Sequence, residues 1–126
     1  MVSSETRNPL TELRRGVLAF CVLSVLRSEE SYAFDIVRTM SGTGLLTSEG
    51  TIYPLLARMR QQEWVSTDWR ESAAGPPRRY YAVTARGLRA LDEFSRDWSR
   101  FRDAVDALLA PSAARATAQG GTRNDA

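Results

Sequence analysis

Two groups of residues in this 126-residue sequence could do chemistry. The first is Ser48, Glu49, Gly50, Thr51 and Tyr53, which stand at the start of a helical apolar pattern. They are small or hydroxyl-bearing, and a helix N-terminus adds free backbone N–H groups and the positive end of a dipole. Gly50 would let the backbone come near DNA. Ser48, Thr51 and Tyr53 offer hydroxyls to phosphates or base edges. Ser48 and Thr51 could instead be plain helix caps, and Tyr53 a packing residue. Glu49 suits neither phosphate nor base and reads as a first-turn dipole partner. The second group is Arg78-Arg79, beside the Gly75-Pro76-Pro77 bend. At least one of these guanidiniums is expected on a DNA backbone or in a minor groove.

Charge is placed unevenly. All 17 basic residues are arginine, against 15 acids, and the whole chain is only +2. Residues 70–89 hold Arg70, Arg78, Arg79, Arg86 and Arg89 against Glu71 alone, a local balance of +4. Residues 91–126 carry a balance of −1. That concentration is the footprint of a DNA-facing edge, and its rival is a solvated arginine face.

Absences remove most catalytic chemistry. There is no histidine, so His-based acid–base catalysis and most zinc sites are excluded. The single cysteine, Cys21, lies in an apolar run and reads as a small buried hydrophobe. There is no Gly-rich phosphate loop and no paired-carboxylate spacing. No enzyme activity, cofactor or metal is expected. No run reaches the roughly 18 apolar residues of a membrane span. The basic-then-apolar start lacks a small-residue cleavage site and continues into Glu29-Glu30, so a secretory signal is rejected. A cytoplasmic location without membrane association is expected.

The elements that must position these residues follow from periodicity. Residues 1–9 read as a flexible arm and 111–126 as a disordered tail. A first helix runs from about Leu10 to Arg27, with Leu13, Val17, Phe20, Cys21 and Ser24 at helical spacing and an apolar second half. Ser31 is placed as the cap of a second helix, Tyr32–Met40, with Phe34, Ile36, Val37 and Met40 apolar, ended by Gly42 and Gly44. After Leu45-Leu46, Thr47-Ser48 cap a third helix from Glu49 to Gln62, whose inward face is Ile52, Leu55, Leu56 and Met59. Pro54 is expected to kink its second turn. Strands follow at Val65–Trp69 and Arg79–Val83, with the turn at Gly75-Pro76-Pro77, and Trp64 and Trp69 as packing residues. Thr84 caps a last helix reaching about Ala110. The order helix, helix, helix, strand, strand, helix predicts an α+β, mainly α, winged helix-turn-helix domain over 10–84. A C-terminal dimerisation helix would then span 85–110.

That last helix carries Leu91, Phe94, Trp98, Phe101, Val105 and Leu108, spaced 3, 4, 3, 4 and 3. This is a coiled-coil-like seam on a helix about 39 Å long. A domain this small cannot cover the whole stripe. The same helix of a second copy, together with the apolar first helix, is the simplest partner, so a homodimer is expected.

The segments SEGTIYPLLARM and GPPRRYYAVTARGLRAL together resemble the PadR family of transcriptional regulators. ESYAFDIVRTM resembles the family's second helix, and the likeness covers about residues 13–110. The single C-terminal helix is similar to the family's shorter subgroup. The resemblance implies a homodimeric repressor on a double-stranded, inverted-repeat operator. It also implies that an aromatic at Tyr32 faces DNA. Family effectors are often aromatic or cationic small molecules near the dimer interface, where Trp98 would either line a pocket or form plain interface core. The family commonly has glycine where this chain has Ala33 and Glu63. The main rival is a winged-helix protein–protein adaptor, which predicts a neutral wing. An activator, or a MarR-type repressor with dimerisation helices at both ends, is a further alternative.

Overall fold

The structure, a computed structural model, describes residues 9–45 and 48–111. The arm before Pro9, Leu46, Thr47 and the tail beyond Pro111 lie outside the described residues. The chain divides into two units, Met1–Leu91 and Asp92–Ala126.

The first unit contains α1 (Pro9–Ser28), β1 (Ser31–Tyr32), α2 (Ala33–Ser41), a 3-10 turn (Glu49–Thr51), α3 (Ile52–Gln61), β2 (Val65–Ser72), β3 (Gly75–Val83) and the start of α4 (Ala85–Leu109). The strands form one antiparallel sheet in the order β1-β3-β2. This is the winged helix-turn-helix fold, with β2 and β3 as the wing. Among the described residues, no helix is long and apolar enough to cross a membrane.

The core takes one apolar face from each helix. It holds Leu18, Val22, Leu23 and Leu26 of α1, Ile36, Val37 and Met40 of α2, and Ile52, Leu55, Leu56 and Met59 of α3, closed by Val65 and Leu91. The inward face expected of the third helix is therefore observed. On α1 the expected spacing is only partly inward: Phe20 and Cys21 pack half-buried against the core, Val17 and Ser24 are half-buried and Leu13 is exposed. A helix apolar nearly all round has no sharp stripe, so periodicity alone could not choose its inner side. Burial pushes the Cys21 thiol up from its usual value, which suits the small-hydrophobe reading.

Local chemistry corrects four further expectations. Ser31 does not cap a helix; its hydroxyl donates to the Glu29 carbonyl at 3.1 Å. Ser31 and Tyr32 instead form the short strand β1, paired Ser31↔Tyr81 and Tyr32↔Tyr80. The segment from Glu49 opens as a 3-10 turn, so Pro54 becomes the third residue of α3. An N–H there would have no intrahelical partner, and the proline costs no bond. Finally, Gly75-Pro76-Pro77 lies within β3, and the hairpin turns at Ala73-Ala74. Between the pairs Arg70↔Arg78 and Ser72↔Gly75, Glu71 alone faces Pro76 and Pro77. This bulge accommodates two residues that cannot donate to the ladder. Both strands consequently run longer than periodicity suggested.

The end of α3 and the start of α4 are joined. The Trp64 N–H donates to the Met59 carbonyl and the Glu63 N–H to the Arg60 carbonyl, both at 3.0 Å. This is a Schellman closure, and Glu63 takes its left-handed position at φ 65°. Thr84 caps α4 as expected, accepting from the Gly87 N–H at 3.0 Å. Its hydroxyl also donates to the Glu63 carbonyl at 2.6 Å. A β-carbon on Gly87 would lie 2.2 Å from the Trp64 carbonyl oxygen, so only glycine fits.

In the second unit, α4 continues with Phe94 and Trp98 half-buried and Phe101, Leu108 and Leu109 exposed. Phe94 and Trp98 stack at 5.9 Å, and Trp98 and Phe101 meet at 6.0 Å. Leu91, assigned by spacing to the seam, belongs instead to the core of the single chain. Beyond the core the stripe runs on from the half-buried Phe94 and Trp98 to the exposed Phe101.

Glu63 is a strained choice, because a left-handed backbone penalises any β-carbon and its carboxylate sits at the negative end of α3. Its ion pair with Arg86 at 3.3 Å is solvent-exposed and contributes little. Glu63→Gly should stabilise the protein by about 1 kcal/mol, raising Tm by about 4 °C. Thermal denaturation checks this; an unchanged or lower Tm would mean the ion pair outweighs the backbone strain.

Candidate nucleic-acid interface

The start of α3 is built by its cap. The Ser48 hydroxyl accepts the Gly50 N–H at 3.3 Å, so the capping role of Ser48 is realised. Thr51 makes no side-chain cap bond and is exposed. Tyr53 is 52% exposed, which removes its packing alternative. Glu49 sits in the first turn, at the positive end of the dipole. The preceding turn is held by Thr43, whose hydroxyl donates to the Met40 carbonyl at 2.6 Å and accepts the Leu45 N–H at 3.2 Å. Gly44, at φ 80°, supplies the left-handed residue of that turn.

An open cleft of about 360 Å³ joins this helix to the wing. Tyr32, Phe34, Tyr53, Trp69, Arg78 and Arg79 all line it. The structure thus brings Tyr32, Tyr53, Arg78 and Arg79 together. Ser48, Gly50 and Thr51 lie at the exposed tip of the same helix turn and do not line the cleft.

Two lining residues carry a different role from the one the sequence suggested. Phe34 is 55% exposed. Ala33, Ile36, Val37 and Met40 fit one helical face and Phe34 falls off it, so careful angular spacing could have found it. Trp69 is 63% exposed and outside the core cluster, whereas Trp64 packs on the core and meets Phe20 at 5.3 Å. No sequence signal separates the two indoles. Their difference arises because Trp69 lies on the wing beyond the point where helices cover the sheet.

The arginines of the basic segment also divide. Arg70 donates to Glu30 at 2.6 Å and to Asp68 at 3.3 Å, and the Glu30 carboxylate raises its pKa further. Arg86 pairs with Glu63. Among the described residues Arg89 has no carboxylate partner and lies outside the cleft, and Arg78 and Arg79, which line it, have none either. Each lies on an aromatic ring instead: Arg78 is 4.4 Å from the Tyr32 centroid and Arg79 4.8 Å from the Trp69 centroid. Tyr32 is itself packed on Tyr80 at 5.5 Å and stacked with Phe34 at 6.3 Å. A carboxylate neutralises a guanidinium and occupies its N–H edge. A ring carries no counter-charge and leaves the guanidinium's positive charge available. Among the described residues, no group of three or more His, Cys, Asp or Glu could hold a metal ion.

A winged helix-turn-helix whose unpaired cations converge with the start of its third helix defines a class of nucleic-acid-binding proteins. Residues 22–93, more than half the chain, match the model of the transcriptional regulator PadR-like family. Solved relatives agree. A PadR family transcriptional regulator from Eggerthella lenta is 37% identical, with a TM-score of 0.71 over 86% of this chain and 91% of that one. A PadR-like transcriptional regulator from Bacillus cereus is 34% identical, with a TM-score of 0.73 over 80% of this chain and 99% of that one. A Streptococcus transcriptional regulator is 33% identical, with a TM-score of 0.71 over 78% and 97%. The chain belongs to the PadR-like family of transcriptional regulators. It is therefore a DNA-binding regulator and not an enzyme.

Gly50 tests whether the tip of the helix is shaped for a partner. A β-carbon there would meet only the Ser48 hydroxyl at 3.7 Å, an ordinary contact, so the fold does not require glycine. Gly50→Ala should keep or slightly raise Tm, by about 0.5 kcal/mol of stability through the unfolded chain. It should lower affinity for the protein's own upstream DNA by about tenfold, read by fluorescence anisotropy. Undiminished binding would remove close backbone approach at Gly50.

Proposed function

We propose that the protein is a homodimeric repressor that binds an inverted-repeat operator. The two copies of α3 would enter successive major grooves about 34 Å apart. Tyr32, Ser48, Gly50, Thr51 and Tyr53 would contact DNA from the helix side, and Arg78 and Arg79 from the wing. The single observation that carries this reading is that Arg78 and Arg79 stand on rings, without carboxylates, in the cleft shared with Tyr53. Their charge is available to phosphate. Replacing both by alanine should weaken binding to all DNA sequences alike and lower the salt slope by about one unit per lost phosphate contact. An unchanged slope in the double variant would make them a solvated face.

The dimer reading rests on the stripe Phe94, Trp98, Phe101, Val105 and Leu108. Phe101 is exposed, and Leu108 is 71% exposed, in the single chain. Charged residues flank it, with Arg100 on Asp97 at 2.8 Å and Arg102 on Asp103 at 3.2 Å, which keeps the apolar strip narrow, as a helix–helix seam requires. The half-exposed side of α1 is the second surface available to a partner copy. Trp98, with an aromatic on either side, is the residue we assign to a flat aromatic or cationic effector, if the two indoles leave room between protomers. Phe101→Asp should convert the dimer to monomer in analytical ultracentrifugation and weaken operator binding by more than tenfold. A persisting dimer would place the seam elsewhere.

A further inference from the structure

Trp69 and Arg79 face one another across the wing as a register pair of β2 and β3. The pair lies on the sheet face that carries Val65, Val83 and Tyr81 toward the core, but farther out. The guanidinium lies 4.8 Å from the indole centroid. The indole is largely exposed and takes no part in the core. Arg70, one residue away, shows what a purely structural arginine looks like in this hairpin, with two carboxylates and its N–H edge used.

We infer that Trp69 is a positioning residue for DNA binding: its ring holds the Arg79 guanidinium extended from the wing, ready for phosphate. This rests on the reading that the wing meets DNA. An arginine free in solvent samples many rotamers and must lose that freedom on binding. Stacking on a rigid indole orders the side chain beforehand. Because the contact is with a ring and not a carboxylate, the full positive charge remains for the ligand. The Arg78 guanidinium on Tyr32 repeats the arrangement with a ring from another strand. Two adjacent wing arginines are thus each held by an aromatic side chain.

The test is a double-mutant cycle on the full-length protein, with binding to its own upstream DNA measured at several salt concentrations. Trp69→Ala should weaken binding about fivefold and leave the salt slope unchanged, because no charge is removed. In the Arg79→Ala background, Trp69→Ala should cost nothing more. Trp69→Tyr should restore most of the affinity. Trp69→Leu, which keeps apolar bulk without a π face, should not. An equal loss in both backgrounds, or wild-type binding by Trp69→Leu, would overturn the positioning role. Arg79→Ala with unchanged affinity and slope would instead overturn the wing reading itself, and the inference with it.

Discussion

Thr84 carries the geometry on which the rest of the domain depends. Its backbone N–H donates to the Trp64 carbonyl at 3.0 Å, and its hydroxyl both donates to the Glu63 carbonyl and accepts the Gly87 N–H. One side chain thereby ties the exit of α3, the base of the wing and the first turn of α4. Gly87 completes the junction, because its missing β-carbon is the space the Trp64 carbonyl occupies. Were this joint loose, the wing would swing about its base, and Arg78 and Arg79 would no longer keep a fixed distance from Tyr53. The requirement for Thr84 and Gly87 three residues apart is therefore one of packing and hydrogen bonding, with no demand for chemistry at either position.

From that fixed base the hairpin sorts its charges by partner type. Arg70 is spent on Glu30 and Asp68, which ties β2 to the chain just before β1. It also lies 4.5 Å from the Tyr80 ring, and Tyr80 packs on Tyr32, which in turn bears Arg78. The result is a pair of rings flanked by two guanidiniums on one face of the wing, with acids at the Arg70 end and none paired at the Arg78 end. Exposed ion pairs contribute little stability singly. Here Glu30 and Asp68 engage Arg70 and leave the neighbouring Arg78 without a carboxylate.

Much of this was legible in sequence. The inward face of α3, the Thr84 cap and the order of elements all follow from local periodicity and capping, which neighbouring residues largely decide. The misread parts are those that distant residues decide. β1 has only two residues and exists because β3 offers it an edge. Gly75-Pro76-Pro77 are the strongest turn formers of the segment, yet the ladder turns at Ala73-Ala74 and absorbs the prolines as a bulge. Leu91 satisfies the heptad arithmetic of the seam but is reached first by the core of its own chain. Both outcomes have one cause: a local pattern states what a residue can do, and the nearest long-range partner determines which of these it does.

The same cause separates the charge count from the charge that matters. Five arginines in residues 70–89 gave a balance of +4, and counting treats them as equals. Glu30, which pairs with Arg70, lies 40 positions earlier, outside any window that would include the wing. Trp69 and Trp64 likewise differ only in how far each stands from the helices that cover the sheet. A guanidinium beside a carboxylate and one above a ring have the same sequence signature and opposite consequences for an approaching phosphate. The first presents a nearly neutral pair with its donors occupied. The second presents a whole charge with no anion already on it. Composition locates the basic edge; three-dimensional pairing removes Arg70 and Arg86 from it, and among the unpaired arginines that remain Arg78 and Arg79 are the two that stand on rings in the cleft beside Tyr53.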